Sequence, residues 1–189
     1  MHAALCLLLL AAPFWETTPA DKWSDMQVEE MLSNSPWAQP TTFRDGSPVV
    51  VYLATAKPVH DAENELLRRN IRKLPPGTAR QEYQSFLAES HGKVIVVAIR
   101  NPNTNALGKA DEAKHMEEAS VLRAGKKKLK MTGHFPPAPS DPVLRLVFPK
   151  PDESVKELSF ELYIPGAAGP YRQAVFRVKD LLFQGKPEM

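Results

Sequence analysis

Residues 93–100, KVIVVAIR, leave the chain little choice of local structure. An unbroken apolar run, rich in β-branched side chains and closed by a charge at each end, is the clearest strand in the sequence. Residues 49–56 form a second such run, suited to a buried strand. Two helices are expected between them. In the first, Pro58 sits where an opening helical turn tolerates proline. Val59, Ala62, Leu66 and Leu74 fall near one face, and Arg68, Arg69, Arg72 and Lys73 lie largely opposite. Pro75, Pro76 and Gly77 end it. Thr78 and Gln81 have capping-box spacing, and Tyr83, Phe86 and Leu87 give the second helix an apolar face before Gly92. Such connections reverse the chain and make an antiparallel or mixed sheet the expected arrangement.

The last third changes period. Leu144, Leu146 and Phe148, then Leu158, Phe160, Leu162 and Ile164, then Ala174, Phe176 and Val178 alternate with other residues. Alternation of period two predicts three strands, and short proline-bearing breaks between them predict an antiparallel meander. Residues 120–131 read as a hairpin around Gly125 and Lys126, and residues 133–142 as a proline-stiffened loop. A short, exposed helix is expected over residues 109–119. Near the start, Ser24 and Gln27 have capping-box spacing ahead of Val28, Met31 and Leu32, which predicts a helix over residues 25–34. The fold class is therefore α+β, with two or three amphipathic helices on a largely antiparallel β-sheet.

Residues 3–12 are apolar, but a bilayer span needs about 20 such residues. The stretch reads as the core of a signal peptide. Cleavage after Ala12 would leave Pro13 first, whereas Thr18, Pro19 and Ala20 place small residues at the two positions that matter, so the cut is expected after Ala20. Residues 21–189 then form a single domain with no transmembrane span. Cys6 is the only cysteine and lies in the leader. Disulfides, thiol catalysis and thiolate metal sites are thereby excluded from the exported chain.

A formal charge of +2 gives no field strong enough to select polyanions in bulk. No glycine elbow surrounds a serine, no glycine-rich phosphate loop is present, and the histidines lack metal-ligand spacing. No cofactor or metal is expected. His60, Asp61 and His134 are the polar residues that could meet at a cleft if the protein were an enzyme. The basic run containing Lys126, Lys127, Lys128 and Lys130 lacks the interleaved aromatics of a nucleic-acid module, so nucleic acid is not an expected partner. Lysines along a strand also keep sheet edges apart. Pro36 and Pro40 hold Trp37 in a stiff, extended segment, which suits an indole packed against the body. Trp37 and the four lysines together make the candidate binding surface.

Four segments in this order, MLSNSPWA, KPVHDA, FPK and the terminal FRVKDLLFQGKPEM, resemble a family of acidobacterial proteins predicted to be exported and of uncharacterised function. Members are expected to end Gly-Lys-Leu-Glu-Leu, where this chain has Gly185, Lys186, Pro187, Glu188 and Met189, and Pro187 withdraws a backbone donor from any strand there. The resemblance implies export and a shared fold. With every catalytic signature missing, the expected function is a non-catalytic binding or interaction protein of the cell envelope. Its partner would be an envelope protein or a cell-surface component, and a hydrolase or other enzyme with a site assembled from distant polar residues is the alternative.

Overall fold

The apolar run at residues 93–100 is the middle strand of a five-stranded antiparallel sheet, with apolar side chains on both of its faces. The computed structural model describes residues 12–41, 49–70, 73–100, 102, 104–152, 154–167 and 169–189. In chain order the elements are α1 (Phe14–Thr17), a 3-10 turn (Ala20–Lys22), α2 (Asp25–Ser33), β1 (Ala38–Pro40), β2 (Val50–Leu53), α3 (Lys57–Asn70) and α4 (Ala79–Glu89). There follow β3 (Val94–Arg100), α5 (Thr104–Leu107), α6 (Ala110–Ala119), β4 (Val121–Ala124), β5 (Lys127–Lys130) and β6 (Gly133–Phe135). The chain closes with β7 (Val143–Pro149), β8 (Glu157–Tyr163), β9 (Tyr171–Arg177), a 3-10 turn (Val178–Asp180), β10 (Leu182–Phe183) and β11 (Lys186–Pro187). The α+β class and the antiparallel pairing follow the sequence. The number of sheets does not.

One sheet has the order β1-β2-β3-β7-β6 and a second the order β5-β4-β8-β9. The expected three-stranded meander is therefore split, since β7 pairs with β3 and β6 whereas β8 pairs with β4 and β9. Period-two alternation fixes which side chains share a face but not which strand lies alongside. Phe148 of β7 meets Phe160 of β8 at 5.4 Å between ring centroids, and Phe160 meets Phe176 of β9 at 5.9 Å, both edge to face. This contact turns the apolar faces of the two sheets toward each other, with Leu144, Leu146, Leu158 and Leu162 buried around the rings. The opposite face of the first sheet is covered by α3 and α4.

Local signals were mostly met. Ser24 Oγ accepts from the Gln27 backbone and the Gln27 side chain accepts from the Ser24 backbone, completing the capping box of α2. The hairpin at residues 120–131 forms, with Gly125 in the left-handed region (φ 60°) as the first residue of its two-residue turn. Thr78 does not cap α4; its hydroxyl donates to the Glu82 carboxylate instead. Residues 133–135, expected in a loop, pair with β7 as an edge strand. Arg72, assigned to the basic face of the first helix, lies outside the described residues, as do Cys6 and most of the apolar leader run. Arg68 and Arg69 hold Glu65, and Arg69 also reaches Asp25. Among the described residues, no helix is long and apolar enough to cross a membrane.

Trp37 is fully buried, its ring edge to face with Trp15 at 5.9 Å and its Nε1–H donating to the Glu188 carbonyl at 2.8 Å. The C-terminal tail thus pairs despite Pro187, because β10 and β11 close a hairpin through Gln184 and Gly185, both at positive φ. Trp37 is sealed inside and is removed from the candidate binding surface. Residues on the leader side of the expected cut also pack here. Phe14 stacks edge to face on Trp23 at 5.2 Å, and the Glu16 carboxylate accepts from the Gln184 N–H at 2.9 and 3.1 Å. Trp37→Ala is expected to cost about 3–5 kcal/mol in urea unfolding, the range for removing a large buried aromatic. A change under about 1 kcal/mol would show that the indole is not a packing anchor.

Candidate functional site

The helix-covered face of the first sheet carries an unusual row. Tyr52 on β2 stands opposite Ala98 on β3, and Ala98 opposite Arg145 on β7, so the small alanine leaves a gap flanked by a phenol and a guanidinium. Above that gap α3 places Glu63 among Val59, Ala62 and Leu66, on the stripe that faces the sheet. Glu63 is only 5% exposed. A buried carboxylate needs matching donors. Its Oε1 accepts from the Tyr52 hydroxyl at 2.8 Å and from Arg145 Nη2 at 3.0 Å, and its Oε2 accepts from Arg80 Nη1 at 2.7 Å. Arg80 comes from the first turn of α4 and also donates to Asn64 Oδ1 at 2.7 Å. Asp141, just before β7, takes the Arg145 fork through both oxygens, at 2.7 and 3.3 Å.

Two aromatic groups complete the cluster. The Arg145 guanidinium lies 4.2 Å from the centroid of the Tyr83 ring, close enough for a cation–π contact, and Arg80 lies 5.5 Å from it. The buried Tyr83 hydroxyl and Arg145 Nε make no hydrogen bond among the described residues. Burial pushes both phenols, Tyr52 and Tyr83, above the ordinary tyrosine range, and the Glu63 charge adds to the shift. Burial alone would raise Glu63, but the Arg145 and Arg80 charges outweigh it and hold the carboxyl below the ordinary glutamate range. The group is therefore ionised at neutral pH.

A pocket of about 200 Å³ opens onto this cluster. Glu63, Arg80, Asp141 and Arg145 lie at its polar side, and Leu32, Leu66, Leu67, Leu74 and Val143 make its apolar walls. Arg100 stands at the rim, tied to the Glu29 carboxylate at 2.8 and 2.9 Å. The arrangement can hold an apolar group against a fixed polar base. It offers poor chemistry for proton transfer, because both Glu63 oxygens and both Asp141 oxygens already accept from arginines.

The residues named from sequence lie elsewhere. His60 Nε2 meets the Gln84 side chain at 3.0 Å, Asp61 is paired with Lys57 at 2.7 Å, and His134 Nδ1 meets Glu117 at 3.0 Å. His60 lines an open cavity of about 580 Å³ with His91, Lys150 and Glu188, and neither Asp61 nor His134 lines it. The structure thus does not bring His60, Asp61 and His134 to one cleft. Among the described residues no group of three or more histidines, cysteines or carboxylates could hold a metal. Lys126, Lys127, Lys128 and Lys130 are all exposed on and beside β5, away from the Glu63 pocket, and Lys127 pairs with Asp152. Glu63, Arg80, Asp141 and Arg145 were missed on sequence. The available signal was a glutamate four residues after Val59 on an otherwise apolar stripe.

Because the folded-state pKa of Glu63 is depressed, its stabilising contribution is full above the ordinary glutamate range and is lost as pH falls through the depressed value. Urea unfolding at pH 7 and pH 3 should therefore show a larger acid loss for the parent than for Glu63→Gln. Equal losses would contradict the ionised cluster. Arg145→Met should cost about 3–5 kcal/mol at pH 7, since it strands the buried Asp141 carboxylate and leaves Glu63 with Arg80 and Tyr52 alone. A near-neutral effect in the same measurement would mean that the carboxylates find water instead.

No family model, curated protein or solved structure matches the chain.

Proposed function

We propose that the protein is an exported, non-catalytic binding protein of the cell envelope, which receives an apolar side chain of a protein partner in the pocket above Glu63. The observation that carries this reading is the pairing of the polar base. Two guanidiniums, Arg80 and Arg145, face two carboxylates, Glu63 and Asp141, so the base is balanced in charge and held by ion pairs at 2.7–3.0 Å. A charged group entering the pocket would lack a counter-ion, whereas a neutral apolar one is accommodated by the leucine walls. The volume of about 200 Å³ also favours a side chain. Sites for small molecules and cofactors run to roughly 300–1,000 Å³. Anchors of protein interfaces fill pockets of this kind with one buried residue.

Export rests on the apolar leader run and on the resemblance to the acidobacterial family. The packing of Phe14 and Trp15 and the bond from Gln184 to Glu16 support a leader that ends before Phe14, not after Ala20. Sequencing the N-terminus of the protein recovered from its host's envelope should find a start ahead of Phe14. A start at Asp21 would contradict this boundary, and an intact leader in the cytoplasmic fraction would contradict export.

Crosslinking from the same envelope fraction tests the binding reading when two baits are compared. Leu67 is a half-buried wall residue, so Leu67→Lys places a charge in the pocket while leaving the fold intact by circular dichroism. The parent bait should enrich a partner protein at least about tenfold over the variant, equivalent to about 1.4 kcal/mol. Equal recovery would overturn the pocket as the contact, and no specific partner with the parent would overturn the binding reading.

A further inference from the structure

The outer face of the second sheet carries a second set of groups that the Glu63 pocket does not use. The pleat turns Leu158, Phe160 and Leu162 inward, which sends Ser159, Glu161 and Tyr163 outward. On β9 the outward residues are Tyr171, Gln173, Val175 and Arg177, the last facing Glu157 on β8. Register aligns them in rows across the strands. Lys130 on β5 faces Val121 on β4, which faces Glu161, which faces Gln173. The next row runs Lys128, Arg123, Ser159 and Val175. At the far end, Tyr163 faces Tyr171, and α6 borders them with His115 and Glu112.

Tyr171 is 58% exposed, yet it is held in place. Its hydroxyl meets His115 Nε2 at 2.8 Å, and its ring packs edge to face against Tyr163 at 5.2 Å. Tyr163 is fixed in turn by its hydroxyl bond to Glu112 at 2.8 Å and by the His115 ring at 4.3 Å. An exposed aromatic ring locked in one orientation presents a stacking surface that loses little entropy on binding. Beside it, Gln173 donates to Ser159 at 3.1 Å and Arg123 pairs with Glu161, which lines up planar hydrogen-bonding groups along the face. Lys128 and Lys130 then bring two exposed positive charges to the opposite edge. From β9 to β5 the face spans three strand spacings, about 14 Å.

We infer that this face binds an acidic polysaccharide, a chain of sugar rings carrying uronate carboxylates. A pyranose ring has an apolar face that suits the open side of Tyr171, its hydroxyls suit Gln173, Glu161 and Ser159, and its carboxylates suit Lys128 and Lys130. A polyanion lacking ring faces would use only the lysine edge. A neutral polysaccharide would use only the tyrosine end. The face shares no residue with the pocket assigned to a protein partner, so either assignment can fail without the other.

Electrophoresis of the native full chain through gels containing polygalacturonate, alginate, hydroxyethylcellulose or polyglutamate tests the inference. At least one of the two uronate polymers should retard the protein more strongly than hydroxyethylcellulose or polyglutamate does. Tyr171→Ala should weaken that retardation at least about tenfold, and Lys128→Ala combined with Lys130→Ala should weaken it and reduce its dependence on salt. Gln173→Ala serves as a second face variant should Tyr171→Ala unfold, and it should weaken retardation as well. Retardation by neither uronate polymer would overturn the inference. So would retardation that folded Tyr171→Ala and Gln173→Ala leave unchanged, since bulk attraction to the lysines would then account for it.

Discussion

One carboxylate joins two neighbouring helices to the sheet beneath them. Glu63 hangs from α3, accepts from Tyr52 and Arg145 on the sheet below, and accepts from Arg80 on α4 beside it. Deleting the charge would release all three donors at once, in a site where water is scarce. A buried ion cluster of this kind is seldom a large net source of stability, because desolvation offsets much of the attraction. What it adds is specificity of arrangement. An apolar α3 could slide or rotate on an apolar sheet, whereas Glu63 satisfies its donors in one register only. That fixed register also holds Leu66 and Leu67 at the walls of the pocket.

The ends of the described chain are fastened by a second device of different chemistry. Trp37 takes a T-shaped contact from Trp15 and gives its N–H to Glu188, so an indole between two prolines bridges segments 151 residues apart. Glu16 then caps the backbone of the terminal hairpin at Gln184. Apolar area supplies the energy there, and single hydrogen bonds set the geometry. The two devices act on different parts of the molecule. Glu63 orders the helix-covered face, and Trp37 orders the region where α1, β1 and the tail meet.

Much of the fold could be read from local pattern. The strand at residues 93–100, the capping box at Ser24, the hairpin at Gly125 and the helix over Ala110–Ala119 each carry their own signal, and each formed. The division into two sheets carried none, because the alternation of Leu144, Leu146 and Phe148 is the same whichever strand lies beside it. The pocket was hidden for a related reason. Arg145 alternates with leucines and so looks solvent-facing, but it stands beside Ala98 in a strand that is apolar on both faces. A strand apolar on both faces must be covered on both, and a charge in the neighbouring strand must then be buried with a partner. Glu63, on the apolar stripe of α3, was that partner. The histidines drew attention because imidazole is chemically versatile, yet the fold ties them to separate neighbours.

The claim on which the rest depends is that Glu63 is an ionised carboxylate held by two arginines. Carbon-13 NMR of the labelled glutamate carboxyls, followed through an acid titration with Glu63→Gln for assignment, measures this directly. The Glu63 signal should titrate below the ordinary glutamate range. A Glu63 that takes up its proton within or above that range would mean that burial prevails over Arg80 and Arg145. The cluster would then not be the fixed, charge-matched base described for the pocket.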